Sequence, residues 1–317
     1  MKSISERFTL ATKDLQRDAT YLAGVSGGRD SVVLVHLLRV AGFQNIVLCH
    51  LNHGVRKAAE ADSKFVERLG VVANMRVIID ILPKTAKTSS LENRLRVARQ
   101  EFFACATAAT QAAGVFLGHH ADDLAETFLW NLLRGSGSAG LAGIQREKVI
   151  ETESGSIRLL RPMLDIWRSE IDAYVLEHQL TYVEDESNRS RQFTRNRLRH
   201  DILPWLEKKL GRNVRQNLHR TAVILSEESL CLEKLVTVED WDAPLSVSEL
   251  LTQPVALQRR TILRWLQHHQ IADAGFNEVE LIRSMLDVEL GPARVNLSQD
   301  RQARRRVGKI SLASQRS

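Results

Sequence analysis

The sequence predicts an α/β protein: a doubly wound parallel sheet with helices on both faces, followed by a second, mostly helical domain. Three observations predict it. Short apolar runs alternate with helical patterns over the first half of the chain, as repeated β-α units require. Polar and glycine-rich clusters fall at the C-terminal ends of those runs, where open α/β sheets bind ligands. From Trp205 onward strand signals fade. The boundary is placed near residue 210, giving domains 1–210 and 211–317.

Each element has its own signal. Tyr21–Val25 reads as a strand, and Ser31–Val40 as a helix with Val32, Leu34, Val35, Leu37 and Leu38 apolar on most sides, as a helix packed on a sheet would be. Asn45–His50 is a second strand and Ala58–Leu69 a helix with one charged face. Arg76–Ile81 is a third strand, Leu91–Ala113 a long helix, Val115–Gly118 a fourth strand and Asp122–Leu133 the next helix. The glycine- and serine-rich stretch Leu132–Ile144 reads as an active-site loop or a connector. Further on, Val214–Leu235, Pro254–His268 and Asn277–Leu286 read as helices. Ala293–Leu297 and Val307–Leu312 read as a hairpin around the basic stretch Arg301–Lys309.

Composition narrows the class. No apolar run is long enough to span a bilayer, and Met1–Asp18 carries charges throughout, so no membrane partner and a cytoplasmic location are expected. Cys49, Cys105 and Cys231 stand far apart with no CxxC pair, which argues against disulfides and against zinc or iron–sulfur centres. It also argues against sulfur-inserting chemistry, which depends on reactive cysteines. The net charge is +6, but Arg189–Arg220 alone holds ten Lys/Arg against Asp201 and Glu207. The remainder is slightly acidic, so one segment concentrates the positive charge that would suit a nucleic-acid backbone.

Candidate chemistry starts at Ser26-Gly27-Gly28-Arg29-Asp30-Ser31. A glycine pair between strand and helix lets the backbone approach an anion, and free N–H groups at the helix start face it. Asp30 would repel a bare phosphate, and makes sense where Mg²⁺ bridges carboxylate and phosphates. The same residues would also serve a helix start with a favourable first-turn acid. His50, Asn52 and His53 follow the second strand, where they reach a ligand or cap the next helix. After the fourth strand, Gly118-His119-His120-Ala121-Asp122-Asp123-Leu124-Ala125-Glu126 places His119, Asp123 and Glu126 on one helix face. Those acids would bind an amine or a cation, or simply complement the helix dipole. Arg96 and Arg99, three apart on the long helix, clamp phosphate or RNA, or form a solvated face.

SGGRDS after a first strand resembles the PP-loop, or N-type, ATP pyrophosphatases, which cleave ATP between its α- and β-phosphates. The full set resembles the tRNA(Ile)-lysidine synthetases. It comprises Ser26–Ser31, His50–Arg56, the Glu92–Arg99 helix, His119–Thr127, Leu132–Ile144, Arg161–Leu164, Asp185–Asn188 and Arg195–Arg199, over most of the first domain. Departures are small: Gln100, Leu124 and Ile144 stand where the family commonly has Tyr, Gln and Met. The chain stops at Ser317, and is expected to lack the extra C-terminal domain of longer members.

The resemblance implies a fold of the adenine nucleotide alpha-hydrolase-like type, with ATP and Mg²⁺ as cofactors. The expected partners are tRNA(Ile) with a CAU anticodon, L-lysine and a second copy in a homodimer. It places Ser26, Gly27, Gly28, Arg29, Asp30 and Ser31 at the nucleotide, with His50, Asn52, His53 and Gly118. It gives Asp30 to Mg²⁺, Asp123 and Glu126 to the ammonium of lysine, and Arg96 and Arg197 to phosphate or substrate charge. The implied reaction adenylates O2 of the wobble cytidine, then exchanges AMP for the lysine amine at C2.

Overall fold

The computed structural model describes residues 2–52, 59–82, 91–184, 194–271 and 274–314. The chain divides into two compact units: residues 1–136 with 140–223, and residues 137–139 with 224–317.

In the first unit, helix α1 (Ile4–Ala11) is followed by β1 (Thr20–Gly24), α2 (Arg29–Val40), β2 (Asn45–Asn52), α3 (Ala59–Ala73) and β3 (Arg76–Ile81). Then come α4 (Leu91–Thr110), β4 (Val115–Phe116), α5 (Ala121–Leu133), the one-turn α6 (Ser138–Leu141), whose first two residues are assigned to the second unit, and the hairpin β5 (Glu147–Thr152) and β6 (Gly155–Leu160). Helix α7 (Arg168–Glu177) precedes α8 (Thr194–Arg197), a π-helical turn at Leu198–Ile202, and α9 (Leu203–Leu210). Helix α10 (Val214–Lys234) runs across the division into the second unit.

The sheet order is β3-β2-β1-β4-β6-β5. The first five strands are mutually parallel, and β5 runs antiparallel to β6 at the edge. Starting from β1, the chain winds outward through β2 and β3, then returns to place β4 on the other side of β1. The connections diverge between β1 and β4, which opens a crevice at their carboxyl ends. Side chains alternate across the sheet. Tyr21 and Ala23 of β1, with Ile46 and Leu48 of β2, join the core under α1, α2 and α7. Leu22, Val47, Cys49 and Leu51 join the opposite core against Phe102, Phe103 and Ala106 of α4. Helix α2 is buried on most sides, as its sequence required.

The β5–β6 hairpin was not foreseen. Its outer strand reads EKVIET and is mostly exposed, so it lacks the apolar alternation of a half-buried strand, while charge suits an edge. Nor is Leu132–Ile144 all loop. It contains α6, bounded by the left-handed Gly135 and Gly143 (φ 74° and 64°).

The second unit carries α11 (Val247–Thr252), α12 (Val255–His268) and α13 (Phe276–Ser284) around a core that includes Ile262, Trp265, Leu266, Ile282 and Met285. It also holds a four-stranded antiparallel sheet of β7 (Leu245–Ser246), β8 (Arg294–Asn296), β9 (Arg301–Arg306) and β10 (Lys309–Ser314), in the order β7-β10-β9-β8. The basic stretch is thus a strand rather than the loop of a hairpin. Gln302 and Ala303 are buried, and Arg305 donates to the carbonyls of Met285, Val288 and Gly291 beyond α13.

Cys49 is buried in the α4-side core, and that burial pushes its thiol up to about 12. Cys105 and Cys231 are exposed. Alkylation of the folded protein near pH 8, read by peptide mass analysis, is expected to modify Cys105 and Cys231 and spare Cys49 until the protein is unfolded.

Candidate functional site

The phosphate loop forms where β1 hands over to α2. Gly27 takes a left-handed φ of 83°, and a Cβ there would also meet Phe65 at 3.3 Å. Its carbonyl accepts the N–H of Val183 at 2.9 Å, which pins the turn. Ser31 Oγ donates to the carbonyl of Gly28 at 2.7 Å, and Ser26 Oγ lies 3.4 Å from Ser31 Oγ. The N–H groups of Ser31 and Val32 return to Gly28. Those of Gly27, Arg29 and Asp30 have no acceptor among the described residues. Unpaired first-turn donors beside two hydroxyls suit a polyphosphate.

Gly118 acts through packing. A Cβ at Gly118 would stand 3.1 Å from the carbonyl oxygen of Asp30, so glycine is what lets the first turn of α2 lie on the end of β4. Asp30 consequently faces α5. His120, fully buried, stands between them, with Nε2 3.8 Å from Asp30 Oδ2 and 3.5 Å from Asp123 Oδ2, and Nδ1 3.6 Å from Asp122 Oδ2. Burial pushes the imidazole pKa down. The carboxylates of Asp123, Asp122 and Asp30 push it up by more, even against Arg168, so the net shift is upward.

Arginines from later elements complete the cluster. Arg168, opening α7, donates from Nη2 to Asp30 Oδ2 at 2.9 Å and from its backbone N–H to Asp122 Oδ2 at 2.9 Å. Arg199 donates from Nε to Glu126 Oε1 at 2.6 Å, and from Nη2 to Glu126 Oε2 and Asp123 Oδ1, both at 3.0 Å. Burial lowers the Arg199 pKa, but Glu126 and Asp123 raise it by more, so it stays charged. Arg215 pairs with Glu207 and lies 3.6 Å from Asp122.

Most of the expected residues converge here: Ser26, Gly27, Gly28, Asp30, Ser31, Gly118, Asp123 and Glu126. Arg29 pairs with Asp172 of α7, while its Nε lies 3.9 Å from Asp30 Oδ1. His50 is buried, its Nδ1 2.8 Å from the carbonyl of Val25, so that nitrogen carries the proton and donates. Asn52, also buried, donates to Ser63 Oγ at 3.1 Å. Both brace the strand end. Arg96 and Arg197 are exposed, on α4 and at the end of α8. His53 and Asp185–Asn188 lie outside the described residues. Arg168, Arg199, Arg215 and the central role of His120 were not anticipated, although Arg199 lies in the basic motif.

A glycine turn at the switch point, open first-turn N–H groups and an acid in that turn define an ATP-binding α/β domain of the PP-loop class. The chain matches the family model of the PP-loop domain over residues 1–206. It is 35% identical over 272 residues to the tRNA(Ile)-lysidine synthase of Gloeobacter violaceus, covering 83% of this chain and 82% of that one. It is 33% identical over 292 residues to the tRNA(Ile)-lysidine synthase of a Synechococcus species, covering 89% and 87%. The Geobacter sulfurreducens tRNA(Ile)-lysidine synthase is longer: 32% identity extends over 92% of this chain but 64% of that one. The U34-tRNA thiolase NcsA from Methanococcus maripaludis shares the fold, with a TM-score of 0.56 at 16% identity, over 71% of this chain and 78% of that one. The chain belongs to the tRNA(Ile)-lysidine synthase family, as its motifs led one to expect.

Two outcomes follow from the cluster. Arg199→Ala removes a cation shared by Asp123 and the buried Glu126, and is expected to lower stability to urea by about 3–5 kcal/mol; adding Glu126→Gln should recover part of the loss. His120 titrates in the metal-free protein with a raised pKa. Its stabilising charge is fully present below the unfolded histidine value and lost as pH rises through the folded one. Melting temperature should fall across that window, and the fall should vanish in His120→Gln.

Proposed function

We propose that the chain ligates L-lysine to C2 of the wobble cytidine of tRNA(Ile) with a CAU anticodon, using ATP and releasing AMP and pyrophosphate. The observation that carries this reading is His120, whose Nε2 lies within 3.8 Å of both Asp30 and Asp123. The acid of the phosphate loop and the acids suited to an amine therefore form one site. Family membership supplies the substrates.

In the first step, O2 of the cytidine attacks the α-phosphorus and pyrophosphate leaves. The N–H groups of Gly27, Arg29 and Asp30, with the Ser26 and Ser31 hydroxyls, hold the departing pyrophosphate. Adenylation converts a poor leaving oxygen into a good one. The ε-amine of lysine, once deprotonated, then attacks C2, and AMP departs with that oxygen. Asp123 and Glu126 hold the incoming ammonium. Arg199 already fixes both carboxylates in place. Catalysis rests on positioning and charge neutralisation.

The loop fits a Mg²⁺ ion. Asp30 Oδ2 is fixed by Arg168, while Oδ1 is buried without a hydrogen-bond partner, and Mg²⁺ is commonly held by one or two carboxylates plus phosphates. When bound, the ion neutralises phosphate charge. No helix among the described residues is long and apolar enough to cross a membrane. The proposal extends to a cytoplasmic protein.

Asp30→Asn is the direct test. Pyrophosphate release from ATP in the presence of tRNA should fall by roughly 100-fold, while tRNA binding changes little. Equal loss of both would place Asp30 in folding instead.

A further inference from the structure

One buried charge has no use in the reaction above. Arg161, just beyond β6, is only 8% exposed. It donates from Nε to His119 Nδ1 at 3.3 Å and from Nη1 to the carbonyl of Gln145 at 2.8 Å. Both acceptors are neutral, and no carboxylate among the described residues pairs with it. Nearby arginines differ: Arg158 has Glu147, Arg168 has Asp30, Arg199 has Glu126 and Arg215 has Glu207. A buried cation without a counter-ion is destabilising.

The sheet register gathers more cations around it. Lys148 of β5 stands directly opposite Leu159 of β6, so both point to the face covered by α4. The Arg161 N–H extends the same ladder to the carbonyl of Arg146, which turns the Arg161 side chain to that face too. Arg96 and Arg99 lie near the start of α4, on the same face. Burial, and then the nearby Arg99, push Arg161 down to about 10. Lys148 is lowered by burial, then by Arg161 and Arg96. The four cations are thus close enough to repel one another. Lys148, Arg96 and Arg99 are exposed, so the charge runs from a buried anchor outward to the sheet edge as a track, not a closed pocket. It lies two strands from β1 and its phosphate loop, about 10 Å away across the sheet.

We propose that Arg161, Lys148, Arg96 and Arg99 form a binding track for the phosphodiester backbone of RNA, beside the site and distinct from the phosphate loop. This deepens the reading of tRNA as substrate. An extended line of cations matches successive phosphates, where a single small carboxylate would need one.

Arg161→Gln risks misfolding, so the exposed Lys148→Gln carries the test. Binding of labelled tRNA is measured by fluorescence anisotropy over a salt series, with ATP binding measured alongside. The expected result is weaker binding, a salt slope smaller by about 0.7 for each lost single-strand phosphate contact, and unchanged ATP affinity. Unchanged tRNA affinity and slope would overturn the proposal. So would a raised KM for lysine with tRNA binding intact, which would give the track to the amino-acid carboxylate. Salt-dependent tRNA binding that weakens in Lys148→Gln, from a wild-type protein that attaches no lysine, would support the track and overturn the proposed activity.

Discussion

The first turn of α2 lies against the end of β4 so closely that a side chain at Gly118 would meet the backbone of Asp30, 3.1 Å from its carbonyl oxygen. The rest of the site depends on that approach. It closes the crevice between the diverging connections after β1 and β4, and it carries Asp30 from an isolated loop position to within reach of His120 and α5. Without it, the phosphate loop and the acidic helix would be two separate features at neighbouring strand ends. With it, one buried imidazole stands between the acid of the loop and the acids of α5.

Placing three carboxylates, Asp30, Asp122 and Asp123, around one histidine, with the buried Glu126 further along α5, is stable only if cations oppose them. The chain supplies these from distant segments: Arg168 from α7, Arg199 from the π-helical turn and Arg215 from α10. The neighbouring acids therefore do different work. Asp122 ties down the start of α7 by accepting the Arg168 N–H. Asp123 closes the start of α5 through the His120 N–H, at 3.0 Å, and faces Arg199. Part of the positive charge in Arg189–Arg220 is consequently structural. Arg199 and Arg215 neutralise acids inside the first unit, whereas Arg161 is buried with no carboxylate partner among the described residues.

How far the sequence reveals this depends on the element. The β-α units of the first half were legible because apolar runs and helical periodicity differ clearly in Tyr21–Val25 and Ser31–Val40. The charged edge strand β5 carries no such pattern. Helix α1 was readable but unread: Ser3 and Glu6 form a capping box, with Ser3 N–H donating to Glu6 and Glu6 N–H to Ser3 Oγ. That Arg199 is an arginine of this motif that faces the acids of α5 has a physical cause. The chain passes through a π-helical turn at Leu198–Ile202, which changes the phase at which side chains leave the helix, and no local residue pattern announces it. Arg29 was placed at the nucleotide because it sits inside the loop motif; its pairing with Asp172 of α7 is invisible without the fold.

The central claim is that this site joins lysine to a base of tRNA. The protein incubated with ATP, isotopically labelled lysine and tRNA(Ile) carrying CAU, followed by mass analysis of the wobble nucleoside, tests it most directly. The account predicts label on that cytidine, with loss of its O2 and one AMP released per modified tRNA. An unmodified cytidine, from folded protein that binds both ATP and tRNA, would contradict it.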